Sequence, residues 1–373
     1  RMFAAQVESI RNAYDIQPGG ADLACFPLFG LFNSAMGVTT VFPQMDFSRP
    51  ASADPQRLLA AAEDWRVTQA FASPAVWDRL SAHCQSTGDS IATLRSVFSC
   101  GAPVPARVLE RTLHCVHPEA RMHTPYGATE SLPVSTIEAR EVLDETAAAT
   151  IDGRGVCVGR RFASVEWRVI EISDVALPSL EDAQEVPRGT VGELIVKAPQ
   201  VSPRYVSTGP DLQGAASHRA GDDATANRLS KIHDGSAVWH RIGDVGYLDE
   251  QDRFWYCGRK SHRVRTVRGD RFTTPFEGPV NATPGVRRSA LVGLGEPGRQ
   301  ICAMVIELES GANPAELVAA LRDAASRHPI LSEVEQWFVH PGLPVDVRHN
   351  SKINREELTR WANAQLASRQ EPA

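Results

Sequence analysis

The stretch MHTPYGATES, Met122 to Ser131, sets an aromatic (Tyr126), a glycine (Gly127), a hydroxyl (Thr129) and a carboxylate (Glu130) directly after a segment that reads as a buried strand. Packing does little to require that order. Two other stretches carry reactive groups: GDVGYLDEQDRFWYCGRK, Gly243 to Lys260, with Asp244 and Arg259, and NSKINREEL, Asn350 to Leu358, with Lys352. Taken singly, they fit a turn, a hairpin with a solvated Asp244 and a helix start with an exposed Lys352. Taken in order, with CGAP at Cys100 to Pro103 upstream, they assemble carboxylates, a hydroxyl and cations suited to small-molecule chemistry. Competing motifs fail on context. GLGEPG, Gly293 to Gly298, fits the dinucleotide pattern G-x-G-x-x-G, but the strand-like QICAMVIEL follows it, where pyrophosphate binding needs a helix N-terminus. HCVH, His114 to His117, lacks well-spaced partners for zinc and lies where a helix ends before Pro118. There is no G-x-x-x-x-G-K-[ST] and no G-x-S-x-G.

The elements that must hold these groups read as two textures. From Asp22 to about Tyr126, strand-like runs (DLACFPLF, TTVF, VTQAFA, LRSVFSC, ARMHT) alternate with helical ones, predicting a largely parallel, helix-covered sheet. Asp54-Pro55, Ser73-Pro74 and Asn313-Pro314 each read as an N-cap followed by a first-turn proline. Ligands of such sheets gather at the carboxyl ends of strands, where the loops SCGAPVP and PYGATES leave. Beyond Glu138, short valine-rich segments broken by glycine predict an antiparallel sheet or distorted barrel, with a polar surface excursion from Ser207 to Ala237. After Lys260 the chain reads as a small α+β unit. The expected division is therefore residues 1–260 and 261–373.

Composition narrows the partners. At 373 residues and 42% hydrophobic content the chain can bury a large core and form two or more domains at ~150 residues each. A formal charge of −6 without a basic run gives no footprint for nucleic acid. No apolar run reaches the ~18 residues that span a bilayer. Seven cysteines, an odd number without a C-x-x-C pair, point to a reducing compartment, and the expected location is the cytoplasm.

The order and spacing of CGAP, YGATE, GDVGYLDEQDRFWYCGRK and NSKINREEL resemble the AMP-forming adenylating superfamily, which contains acyl-CoA synthetases, luciferases and peptide-synthetase adenylation domains. The resemblance runs over most of the chain. It implies ATP and Mg2+, with a carboxylate attacking the α-phosphorus as pyrophosphate leaves. Lys352 would bridge carboxylate and α-phosphate, Thr129 would donate to that phosphate, and Glu130 would hold the metal. Tyr126 would lie against adenine, Gly101, Ala102 and Pro103 would flank the base, and Asp244 with Arg259 would bind the ribose. Gly127 would leave room where the acyl group meets the phosphate, and Phe29 with the helix around it would line the acyl pocket. The large domain would combine helix-covered sheets with a distorted barrel, and the small α+β domain would carry the lysine. The loop gripping the β- and γ-phosphates is expected before Arg1, so these 373 residues alone are expected not to release pyrophosphate.

Departures from the pattern refine this. Ser261 stands where the family carries a hinge aspartate, and VRTVRGDRF is one residue longer than the common loop beside the pantetheine tunnel. Both disfavour CoA transfer. Within the superfamily the chain most resembles the branch that closes β-lactones from long-chain 2-alkyl-3-hydroxy acids in olefin biosynthesis, with other enzymes of that hydrocarbon pathway as expected partners. Acyl-CoA ligation is the second reading, and a non-catalytic nucleotide- or lipid-binding module the third.

Overall fold

The computed structural model describes residues 1–206, 222–345 and 353–370. Strands β1 (Ala21–Ala24), β2 (Thr39–Val41), β3 (Gln69–Ala72), β4 (Ser96–Ser99) and β5 (Arg121–His123) form a parallel sheet ordered β2-β1-β3-β4-β5. Helices Pro55–Asp64, Pro74–Thr87 and Ala106–His114 connect them, as the alternation predicts. Leu23, Ala70, Val97 and Met122 from the strands and Leu58, Trp77, Leu80 and Leu109 from the helices share one core. Each large side chain buried there contributes roughly 1.5–3 kcal/mol. Trp77 satisfies its indole N–H on the Phe98 carbonyl at 3.0 Å. Asp54 caps its helix by accepting from the Gln56 amide, whereas Ser73 occupies the N-cap position without a side-chain cap.

This sheet buries a carboxylate. Asp22 on β1 is 1% exposed and accepts from Asn33 Nδ2 at 2.7 Å. Burial pushes its carboxyl up to about 6 against the pull of that hydrogen bond. A raised folded-state value favours the protonated native form, so this stabilisation is complete below the unfolded value of 3.8 and is lost as pH rises through about 6. Asp22→Asn keeps an acceptor for Asn33 and removes the charge. Its urea-unfolding advantage over wild type is expected to grow from near zero at about pH 4 to about 3 kcal/mol at about pH 7.5. An advantage that does not change with pH would contradict the assignment.

The glycine-punctuated region forms an eight-stranded sheet from β6 (Tyr126–Ala128), β7 (Ser131–Thr136), β8 (Val156–Arg161), β9 (Glu166–Ile170), β10 (Gly192–Lys197), β11 (Lys231–Asp234), β12 (Ala237–Leu248) and β13 (Arg253–Arg259). Its order is β6-β7-β8-β13-β12-β10-β9, with β11 on β12, so the barrel-like element is an open sheet among the described residues. A hairpin follows from β14 (Val264–Thr266) and β15 (Gly269–Arg271), then a three-stranded sheet of β16 (Val286–Leu294), β17 (Ile301–Leu308) and β18 (Val334–Val339). GLGEPG is the turn between antiparallel β16 and β17, and HCVH lies where the Ala106–His114 helix stops. Asn313 caps the helix Pro314–Arg327 through the amides of Ala315 and Glu316.

By backbone contacts the chain forms two compact units interleaved in sequence. One comprises Arg1–Gln17, Pro125–Thr136 and Val158–Trp255; the other comprises Pro18–Thr124, Ile137–Cys157 and Tyr256–Ala373. No helix among the described residues is long and apolar enough to cross a membrane, and all seven cysteines are free thiols.

Candidate active site

Within the first unit, the hairpin of β6 and β7 displays Tyr126, Gly127, Thr129 and Glu130. Tyr126 pairs with Ser135 and Ala128 with Ser131, with a register irregularity between them, so Thr129 and Glu130 form the turn itself. A Cβ on Gly127 would stand 2.7 Å from the Ser131 carbonyl oxygen, so the tightness of the hairpin already demands glycine. Thr129 is exposed and Glu130 half-buried at the tip.

Asp244 reaches the same region through a bulge. On β12, Val245 pairs with Glu193 and Arg241 with Ile195 of β10. Ile242, Gly243 and Asp244 therefore oppose Leu194 alone. Bulges re-aim side chains, and this one turns on Gly243, whose φ of 78° lies in the left-handed region. The Tyr126 hydroxyl donates to Asp244 Oδ2 at 2.5 Å, joining two residues 118 positions apart. The bulge is anchored by Arg241, which makes a bidentate pair with Glu193 at 3.1 and 2.6 Å.

Glu130 is held from two sides. Its carbonyl accepts from the Ser202 amide at 2.7 Å, and its Oε1 accepts from the Tyr205 hydroxyl at 2.9 Å. Partial burial raises its carboxyl, but a backbone hydrogen bond, Tyr205 and the nearby His240 and Lys231 outweigh that, leaving it below the usual carboxylate range. Among the described residues no group of three or more His, Cys, Asp or Glu could hold a metal. A single ionised carboxylate suits a magnesium ion that keeps its waters and shares phosphate oxygens, rather than a cage built by protein alone.

The second unit carries the remaining candidates. Gly101, Ala102 and Pro103 follow the carboxyl end of β4, with Gly101 at φ 96°. Phe29 stacks on Phe71 at 3.7 Å in a row that continues to Phe98 and His123 along the carboxyl ends of β3, β4 and β5. Arg259 ends β13, and Ser261 lies in the 3-10 turn Lys260–His262. Lys352 lies outside the described residues, as do residues 207–221, the first part of the polar excursion.

The rest of that excursion holds what sequence reasoning missed. Asp222–Ser230 is a helix, and β11 begins with Lys231, 3% exposed. Its ammonium donates to the Ser202 carbonyl at 2.6 Å and hydroxyl at 3.0 Å, and lies 5.1 Å from the centre of the Tyr205 ring. Tyr205 itself was not singled out either. The one available signal was a lysine opening the alternation KIHD.

Comparison with known proteins extends this picture. Residues 23–206 match the AMP-binding enzyme family. The chain is 43% identical to an olefin beta-lactone synthetase of Xanthomonas campestris pv. campestris over 98% of its own length and 64% of that protein. It is 42% identical to one of Stenotrophomonas maltophilia over 99% of its length and 64% of that protein. The chain thus spans just under two thirds of these relatives. Its fold resembles that of the amide bond synthetase McbA from Marinactinospora thermotolerans, with a TM-score of 0.71 at 22% identity, covering 97% of this chain and 65% of that one. The hairpin that presents Thr129 and Glu130 falls inside the matched family segment, and residues 23–206 are thus a domain of the AMP-binding enzyme family.

Proposed function

We propose that the full-length protein activates a long-chain 2-alkyl-3-hydroxy acid with ATP and closes the product to a β-lactone. The observation that carries this is the 43% identity, along 98% of this chain, to an olefin beta-lactone synthetase. The acid's carboxylate attacks the α-phosphorus and pyrophosphate departs, leaving an acyl-AMP. The 3-hydroxyl oxygen then attacks the acyl carbon, its proton passes to a base, and AMP leaves with the electrons of the broken anhydride bond. Tethering gives that hydroxyl an effective molarity of up to about 10^5 to 10^8 M in favourable geometries, against the strain of a four-membered ring.

In this reading Tyr126 and Asp244, already hydrogen-bonded to each other, face adenine and ribose. Arg259 joins them at the sugar, Gly101, Ala102 and Pro103 flank the base, and Thr129 donates to the α-phosphate. Glu130 would hold magnesium, whose charge would offset that developing on the phosphates. Phe29 and Gly127 border the acyl group. Residues 1–260 and 261–373 act as large and small domains about Ser261, the small one delivering Lys352. We place the reaction in the cytoplasm, which seven free thiols support, among enzymes that supply the hydroxy acid and consume the lactone.

The test is product analysis of the full-length protein with ATP, Mg2+ and a 2-alkyl-3-hydroxy acid, with and without CoA. The expected products are β-lactone and AMP in both cases. An acyl-CoA as the dominant product when CoA is present would overturn the reading in favour of ligation.

A further inference from the structure

Lys231 is a buried cation that the adenylation chemistry does not account for. Removing an ammonium from water costs several kcal/mol unless its surroundings compensate. Among the described residues its acceptors are the Ser202 carbonyl and hydroxyl rather than a carboxylate, and His240 Nδ1, itself 3.1 Å from the Ser230 carbonyl, lies 3.2 Å away. The carboxylate that its charge feels is Glu130. Both groups that fix Glu130 are also touched by Lys231. Ser202 gives its amide to the Glu130 carbonyl and takes two hydrogen bonds from the ammonium. Tyr205 gives its hydroxyl to Glu130 Oε1 while its ring faces the same ammonium.

Tyr205 has little freedom of its own. The Asn227 side chain accepts from its amide at 2.7 Å and donates to its carbonyl at 3.0 Å, and the His240 ring meets it edge-on at 6.3 Å. A cation against the face of a phenol is attracted by the ring, by about 2 kcal/mol or more when desolvated. It also draws electron density from the hydroxyl, which strengthens that group as a donor. An anion held this way is oriented as well as ionised.

We infer that Lys231, acting through Tyr205 and Ser202, is a positioning residue that aims the Glu130 carboxylate at the divalent cation accompanying ATP. The inference rests on the reading of Glu130 as the metal ligand. Groups behind a ligand in this manner commonly govern metal affinity by about 10- to 100-fold.

The experiment titrates Mn2+, a hard and EPR-visible substitute for magnesium, onto the full-length protein with ATP and no organic acid, so that nothing turns over. Lys231→Met and Tyr205→Phe are each expected to weaken Mn2+ binding by about tenfold, and Glu130→Gln at least as much. Lys197→Met, which removes a lysine lying 5.0 Å from the Trp239 ring in the same unit, is expected to leave it unchanged. If Glu130→Gln has no effect, the metal-ligand reading falls and the inference with it. If Glu130→Gln weakens binding but Lys231→Met and Tyr205→Phe stay within about twofold of wild type, the inference alone falls. Should Lys231→Met fail to fold, Tyr205→Phe, the loss of one hydroxyl, decides the question.

Discussion

Replacing Lys352 by alanine in the full-length protein is expected to lower AMP formation by about 100- to 1,000-fold while ATP still binds. The proposed reaction would bring a carboxylate against a phosphate that is itself an anion, so its barrier would be largely the cost of concentrating negative charge. One preorganised cation at that point is worth about 2.7–4 kcal/mol in the transition state. On the proposed reading it would contribute less to the ground state, where ATP would keep its contacts to base, ribose and metal, and only a differential contact changes the rate. The measurement pairs substrate-dependent pyrophosphate release with calorimetric ATP binding. A rate within about threefold of wild type would remove Lys352 from the chemistry and favour the non-catalytic binding module. Loss of binding in proportion to rate would instead make it a general anchor for the nucleotide.

Much of this protein was legible because its signals are local. Asp54-Pro55 and Asn313-Pro314 state their helix starts in two letters, and both side chains accept from amides one turn in. The strands of the parallel sheet are short apolar runs bounded by loops, and all but the first lie within two residues of their expected place; DLACFPLF stays a strand only to Ala24 and turns into a 3-10 helix at Pro27–Phe29. What escaped depends on tertiary partners. The helix Thr273–Asn281 contains Pro279, which sequence rules treat as a breaker because it leaves the carbonyl four residues earlier without its helical donor. The segment from Ser207 to Ala237 reads as polar excursion by composition, yet it includes a strand whose first residue is a buried lysine. Polarity alone cannot distinguish a solvated lysine from one buried against Ser202, His240 and Tyr205. The sequence pattern singles out Asp244, but it does not show the bulge on which Asp244 sits. That feature exists only in the register between β10 and β12, and Gly243 is its one local trace.

The same register predicts a large effect on stability. Arg241 and Glu193 are 2% and 1% exposed at the foot of the bulge, and Arg241 also donates to the carbonyls of Val175 and Ser173 at 2.7 and 2.5 Å. Arg241→Met takes the guanidinium away from a buried carboxylate and Glu193→Gln takes the opposing charge away from a buried guanidinium, so each is expected to cost about 3–5 kcal/mol in urea unfolding. Replacing both with apolar residues of similar volume, Arg241→Met with Glu193→Leu, removes both charges at once and is expected to recover most of that loss. The double variant then separates two roles. If the pair only stabilises the sheet, ATP affinity returns with stability. If it also aims Asp244, ATP affinity stays reduced in a well-folded protein, because two apolar side chains cannot reproduce the bidentate pair that ties the two sides of the bulge together. Single variants that lose less than about 1 kcal/mol would mean that water reaches the pair, contrary to its burial here.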